Sequence, residues 1–168
     1  MKVLIIGTWR YNEAIAFQKE AEDIGMLLAQ KGHILLASPS SGIQGLVAES
    51  YKENGGREFI GYFPNLETMK EIGDSLRIIP DTHVYTNEDY PMRNLLQVRA
   101  SEGIIMVTGG PNTYCEAKPA TTDYNIPVAY LRGSSPEIED IMGIDKSFAE
   151  KVYSTDNINS IIEFIENY

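Results

Sequence analysis

A Thr-Gly-Gly-Pro-Asn-Thr segment at residues 108–113 follows the apolar run 104–107 and precedes a stretch of helical character. Glycines let the backbone adopt positive φ and approach a ligand closely. The start of a helix adds free amides and a partial positive charge. This combination suits a phosphate group. The segment therefore predicts a phosphate site formed by Thr108, Gly109, Gly110, Asn112 and Thr113.

Two charged side chains flank this segment and could do chemistry beside a bound phosphate. Arg93 lies 109 − 93 = 16 residues before Gly109, and Glu116 lies three residues after Thr113. An arginine presents its donors in a fixed fork that suits phosphate or ribose oxygens. The spacing from Thr113 to Glu116 also fits a capping box, in which the glutamate accepts a hydrogen bond from the cap residue's amide. Glu116 is therefore open to a structural and a functional interpretation.

Two further segments with glycine or hydroxyl groups follow predicted strands, at residues 7–10 and 38–42. The aromatic side chains of Trp9 and Tyr11 could stack on a planar ligand ring, or could simply pack. Hydroxyls and amides near the start of the second helix could contact a phosphate. The candidate ligand-binding residues here are Gly7, Thr8, Arg10, Ser40, Ser41, Gly42 and Gly45.

The elements that must position these residues alternate between strands and helices. Short apolar runs predict strands at 3–7, 34–38, 58–63, 104–107 and 128–131, and three- and four-residue spacing predicts helices at 12–31, 42–54, 90–102, 113–124 and 156–168. Within 65–87, residues 76–80 and 82–86 are candidate strands. The pattern predicts one Rossmann-like domain over residues 1–168, of the α/β class, with a doubly wound, mainly parallel sheet and helices on both faces. Ligands bind such sheets beyond the carboxyl ends of the strands.

The amino-acid composition limits the kinds of partner that the protein is expected to bind. The 168 residues include 14 Lys and Arg against 24 Asp and Glu, giving a formal net charge of −10. An acidic surface disfavours nucleic acid and anionic membranes. The single cysteine, the absence of a signal-like segment and the absence of a membrane-length apolar run favour the cytoplasm. No metal-ligand spacing is present, so we expect no metal and no cofactor, and Asp74, Asp81, Glu88 and Asp89 are expected at the solvated surface.

The stretch from Arg93-Asn94 through Ser101 to Glu116 resembles the LOG superfamily, whose pattern is an arginine, a strand and then G-G-x-G-T-x-x-E. This group includes cytokinin riboside monophosphate phosphoribohydrolases, proteins once labelled possible lysine decarboxylases, and molybdenum cofactor carrier proteins. Residues 42–48, closing at Gly55-Gly56, are similar to the family's G-L-M-G-x-V-A segment and its terminal glycines. The resemblance covers roughly residues 2–131.

The resemblance implies a small phosphorylated nucleotide-like ligand and a homodimer or higher homo-oligomer. In the hydrolases the arginine and glutamate act at the N-glycosidic bond of a nucleoside monophosphate, which implies catalytic roles for Arg93 and Glu116. This chain differs from the hydrolases in having Asn94 for lysine, Asn112 for glycine, and Ala37-Ser38-Pro39 for three glycines. Only 127 − 116 = 11 residues separate Glu116 from Pro127. Asn94 and the short helix resemble the cofactor carriers, so a non-catalytic carrier of a nucleotide or molybdopterin-type ligand is the alternative function.

Overall fold

The computed structural model of the protein describes residues 1–73 and 76–168, so Asp74 lies outside the described residues. Within these ranges the chain forms a seven-stranded, entirely parallel sheet with the order β4-β3-β2-β1-β5-β6-β7. The strands are β1 (Lys2–Gly7), β2 (Ile34–Ala37), β3 (Phe59–Phe63), β4 (Thr82–Tyr85), β5 (Gly103–Val107), β6 (Val128–Leu131) and β7 (Val152–Thr155).

Helices connect the strands and cover both faces of the sheet. They are α1 (Tyr11–Ala14), α2 (Gln18–Gln30), α3 (Ile43–Glu53), α4 (Leu66–Ile72), α5 (Tyr90–Ala100), α6 (Pro111–Thr122), α7 (Pro136–Ile144), α8 (Lys146–Ala149) and α9 (Ile158–Asn167). Helices α2, α3 and α9 pack on one face, and α5 to α8 contribute buried side chains to the other. The central strands are buried on both faces, which is why they are continuous apolar runs. The predicted α/β, Rossmann-like fold class is confirmed.

The order of the strands places the candidate residues together. From β1 the chain builds outward to β4, and it then returns to add β5 on the other side of β1. The carboxyl ends of β1 and β5 therefore flank the topological switch point, where such sheets bind ligands. Gly7 at the end of β1 is in register with Val107 at the end of β5. The segments after β1, β2 and β5 all open at this edge of the sheet.

Several predicted elements differ from the structure. The helix expected over 12–31 is α1, a 3₁₀ turn at Ile15–Phe17 and then α2. Residues 76–80 form no strand, because β4 already occupies the edge of the sheet beside β3. Elements α4, α7, α8 and β7 were not predicted, since each presents at most one or two fully buried side chains. No helix among residues 1–73 and 76–168 has the length and apolar character needed to span a bilayer.

Replacing Gly7 by alanine is expected to destabilise the junction of β1 and β5. A Cβ atom at position 7 would overlap the carbonyl oxygen of Val107, which is backbone and cannot move aside without disturbing the sheet. We expect Gly7→Ala to lower the free energy of unfolding by about 1–3 kcal/mol or more, the usual cost of overpacking. Urea denaturation measures this change. Gly143→Ala is the matched control, because a Cβ in that α7 position meets nothing; it should raise stability by about 0.5–1 kcal/mol.

Candidate functional site

A cavity of about 1040 Å³ opens at the carboxyl ends of β1 and β5. It is lined by residues from the loops after β1, β2, β5 and β6 and by the first turns of α5 and α6. Most of the candidates from the sequence line it: Gly7, Thr8, Trp9, Arg10, Ser40, Arg93, Thr108, Gly109, Gly110, Asn112, Thr113 and Glu116. The structure therefore brings the candidate phosphate segment, the arginine and the carboxyl group together around one space.

Three predicted residues do not line this cavity. Gly42 and Gly45 face backbone, because a Cβ would overlap the carbonyl oxygen of Thr8 in the first case and that of Ser40 in the second. Both glycines therefore let α3 approach the neighbouring loops closely. Ser41 lines a smaller adjacent pocket of about 410 Å³ together with Tyr11 and Trp9. A direct contact of these residues with a ligand stays a prediction.

The turn after β5 is held in an unusual backbone conformation. Thr108 has a φ of 62° and Gly109 a φ of 97°, and a positive φ is costly for a β-branched residue such as threonine. The amide of Thr108 donates to Ser134 Oγ at 2.9 Å, and its Oγ1 accepts from the amide of Thr8 at 3.1 Å. Ser135 Oγ donates to the carbonyl oxygen of Gly109 at 2.7 Å. Hydrogen bonds from the loops after β1 and β6 thus fix the turn.

The turn leads directly into α6, which starts two residues earlier than the sequence predicted. Gly110 is the cap residue and Pro111 the first helical residue, and no side chain among residues 1–73 and 76–168 caps the helix. The amides of Asn112 and Thr113 are in the first turn, where they have no partner within the helix. Because Thr113 is not the cap, the expected capping box does not form. The capping interpretation of Glu116 is wrong.

Glu116 points instead toward α5. Its Oε1 accepts a hydrogen bond of 2.6 Å from Asn94 Nδ2. Its Oε2 is buried and has no partner within the described part of the chain. Burial raises the pKa of the Glu116 carboxyl to about 7, against the weaker, opposite effect of the Arg93 charge. The carboxyl group can therefore change its charge near neutral pH.

Arg93 is 4% exposed and lies one residue before Asn94 on α5. Its Nη1 donates to Ser38 Oγ and, at 3.1 Å, to the carbonyl oxygen of Tyr62. Its guanidinium lies 5.1 Å from the ring centroid of Tyr90. The arginine is thus fixed against the ends of β2 and β3. Its charge acts on Glu116 at the floor of the cavity, which is the part lined by Arg93, Asn94 and Glu116.

Acidic side chains line the other walls. Thr8 Oγ1 donates to Glu13 Oε2 at 2.6 Å, and Arg10 Nη1 pairs with Glu13 Oε1 at 2.9 Å. These two hydrogen bonds lower the pKa of the Glu13 carboxyl, and the bond from Thr8 has the larger effect. Glu137 reaches back from α7, and a Cβ on Gly110 would overlap its Oε2. The carboxylate of Glu137 therefore lies over the candidate phosphate segment.

Sequence reasoning missed several residues that line the cavity. Ser134, Ser135 and Glu137 follow β6, and the rule that selected the loops after other strands would also have selected this one. Asn94 was read only as a departure from a family pattern, and Tyr90 and Gln44 carried no signal of their own. Among residues 1–73 and 76–168, no group of three or more His, Cys, Asp or Glu side chains could hold a metal ion.

The parallel sheet and the cavity at its switch point define a Rossmann-like protein. The model of the SLOG cluster 4 family matches residues 1–162, and the chain belongs to this family. The predicted resemblance to the LOG superfamily is confirmed. A search of curated proteins finds no match to the chain.

Solved structures share the fold over nearly the whole chain. The X-ray structure of TM1055 is 19% identical, with a TM-score of 0.82 and 99% of both chains covered. The Moco carrier protein from Chlamydomonas reinhardtii is 24% identical, with a TM-score of 0.77 and coverage of 99% of this chain and 95% of that one. The molybdenum cofactor binding protein from the phototrophic bacterium Rippkaea orientalis is 21% identical, with a TM-score of 0.76 and coverage of 99% and 94%.

Removing the charge of Glu116 is expected to stabilise the protein in a pH-dependent way. The folded-state pKa of about 7 lies above the ordinary value of 4.5, so the ionised form is disfavoured by folding. The resulting penalty is absent below pH 4.5, grows between these two values, and is complete above pH 7. We expect the stability gain of Glu116→Gln over the wild type to rise from near zero at acidic pH to about 1–3 kcal/mol above neutrality.

Urea denaturation at several pH values measures this gain. The exposed Glu163 on α9 provides a matched control, since Glu163→Gln removes a carboxylate from the surface. A stability difference between Glu116→Gln and the wild type that does not change with pH would contradict the prediction.

Proposed function

We propose that the cavity binds a small phosphorylated nucleotide-like molecule and hydrolyses the N-glycosidic bond of a nucleoside 5′-monophosphate. The observation that carries this proposal is the Glu116 carboxyl group at the cavity floor, where the charge of Arg93 acts on it. One of its oxygens is buried and has no hydrogen-bond partner among residues 1–73 and 76–168. Titratable groups with perturbed pKa values in a cleft are typical of functional sites.

The phosphate is proposed to bind at the start of α6. The first-turn amides of Asn112 and Thr113 and the helix dipole favour an anion there. Arg10, at the opposite wall, is exposed and can supply a further charge. An acidic protein can bind one phosphate in this way without a basic surface.

The sugar then lies beside Glu116. Glu116 is three positions after Thr113 on α6, a rise of about 4.5 Å, which is on the scale of a ribose ring. Cleavage of an N-glycosidic bond passes through an oxocarbenium-like state. Glu116 can stabilise this charge or exchange a proton with water or the leaving base, because its pKa lies near 7. Arg93 orients the ligand oxygens, and its charge acts on the carboxyl group.

The alternative function is that of a carrier that binds a nucleotide or molybdopterin-type ligand without turnover. The fold similarity to the Moco carrier protein from Chlamydomonas reinhardtii and to the molybdenum cofactor binding protein from Rippkaea orientalis supports this candidate. The hydrogen bond from Asn94 also supports it, since one Glu116 oxygen is already engaged.

We further propose that residues 1–168 form one domain, that the protein is a homodimer or higher homo-oligomer, and that it acts in the cytoplasm.

Incubation with AMP and other nucleoside 5′-monophosphates tests the enzyme. We expect release of free base and ribose 5-phosphate, followed by chromatography, and a loss of about 100-fold or more in rate for Glu116→Ala, the usual contribution of an acid–base group. Glu163→Gln, on the exposed face of α9, should leave the rate unchanged. Tight binding without turnover across the panel would reject hydrolysis and favour the carrier, whereas neither binding nor turnover would reject both.

Removing the charge of Glu137 is expected to strengthen phosphate binding. Its carboxylate lies against Gly110, where it repels an anion at the start of α6. A charge pair about 4 Å apart in water is worth about 1 kcal/mol, so Glu137→Gln should lower the dissociation constant of a nucleoside monophosphate about fivefold. Isothermal titration calorimetry measures this constant. Asp140→Asn, on the exposed part of the same helix, is the control. An unchanged affinity in Glu137→Gln would place the phosphate elsewhere.

A further inference from the structure

Asn94 and Glu116 face each other across the gap between α5 and α6, and each holds one unsatisfied oxygen. Asn94 Nδ2 donates to Glu116 Oε1 at 2.6 Å. The remaining oxygens, Asn94 Oδ1 and Glu116 Oε2, are both buried, and neither has a hydrogen-bond partner in the described part of the chain. A buried polar atom without a partner costs about 1–3 kcal/mol, so two on one contacting pair require an explanation.

Protonation of Glu116 would satisfy both of these oxygens. If Glu116 is ionised, both atoms are acceptors and neither can serve the other. If Glu116 carries a proton on Oε2, that hydroxyl is a donor and Asn94 Oδ1 is an acceptor within the same pair. A carboxylic acid and a carboxamide then form a cyclic pair with two hydrogen bonds. Turning the amide around would not help, because Oδ1 would then meet Oε1.

We propose that Asn94 is a positioning residue that holds Glu116 as a neutral carboxylic acid, with the proton on Oε2 and shared with Oδ1 of Asn94. The hydrogen bond from Nδ2 fixes which oxygen carries the proton. The pair thereby stores a proton at the floor of the cavity in the ligand-free protein.

Burial of Glu116 favours the neutral acid and outweighs the opposite effect of the Arg93 charge. Arg93 on α5 is the charged side chain that affects its ionisation, and its Nη1 hydrogen bonds go to Ser38 and Tyr62. Lys118, two residues further along α6, is paired with Asp145 at 2.5 Å. Glu137 from α7 and Glu13 from α1 also line the cavity and bring no positive charge to Glu116.

The stored proton has a use in the reaction, and this consequence rests on the proposed function. As the C1′–N bond breaks, its electron pair goes to the base nitrogen, which takes the proton from Glu116 Oε2. The carboxylate left behind stabilises the positive charge at C1′ and then accepts a proton from the water that adds there. The base leaves protonated, the sugar gains a hydroxyl, and Glu116 is again neutral.

Infrared spectroscopy of the ligand-free protein tests the pair without reference to any activity. A protonated carboxyl group has a carbonyl stretch that a carboxylate lacks, and subtraction of the Glu116→Gln spectrum isolates it. We expect a Glu116 acid band at mildly acidic pH that disappears as the pH rises through neutrality. Absence of that band would overturn the proposal, because Glu116 would then be ionised.

Two variants test the role of Asn94. In Asn94→Leu the band should move to higher frequency, because the acid carbonyl no longer accepts a hydrogen bond. In Asn94→Asp two carboxyl groups compete for one proton, so the band should persist to a pH about one unit higher or more. Circular dichroism confirms that both variants fold, and Glu163→Gln is the control for a general effect of charge. An unmoved band in Asn94→Leu, or an unchanged titration in Asn94→Asp, would overturn the pairing.

The outcomes separate this proposal from the proposed function. An acid band with the expected shifts but no hydrolysis supports the pair and rejects the enzyme. Hydrolysis without the band rejects the pair alone.

Discussion

The pairing of β1 with β5 is the constraint on which the site depends. The chain reaches β5 only after building three strands on the other side of β1, and it then places Val107 in register with Gly7. The close approach of the two strand ends leaves no room for a Cβ at Gly7. It also lets the Thr8 amide donate to Thr108 Oγ1, which joins the two loops. The loops after β1 and β5 both begin at this junction, and their residues line the cavity.

The second constraint is the charge balance at the floor of the cavity. Desolvation makes a buried charge costly unless hydrogen bonds compensate it. Arg93 receives such compensation from Ser38 and the Tyr62 carbonyl at the ends of β2 and β3. Glu116 accepts a hydrogen bond from Asn94 at one oxygen, and burial raises the pKa of its carboxyl. The two residues are neighbours in space but are stabilised differently, which leaves the arginine as a fixed charge and the carboxyl as the group that titrates.

The elements that the sequence predicted correctly are those whose signal is local. Strands β1, β2, β5 and β6 are short runs of buried apolar residues, and such runs are visible without knowledge of their neighbours. Strand β7 has a single buried residue, Val152. Residues 76–80 contain three large apolar side chains, yet Ile79 is 67% exposed. The glycine-rich turn after β5 could likewise be predicted from the sequence alone. Asn94 and Glu137 were not, because their importance comes from contacts with residues 22 and 27 positions away in sequence, Glu116 and Gly110.

The start of α6 decides how Glu116 is interpreted. With Gly110 as the cap, Glu116 lies 116 − 110 = 6 residues into the helix, beyond the first-turn amides that a capping carboxylate would accept from. Its side chain therefore gains nothing from the helix terminus. It instead occupies a gap between α5 and α6, where one of its oxygens has no hydrogen-bond partner in the part of the chain that the structure describes. Folding alone gives no reason to keep a titratable group in such a place, since a glutamine would satisfy Asn94 without the cost of a buried charge. A requirement for a proton at the cavity floor accounts for this glutamate.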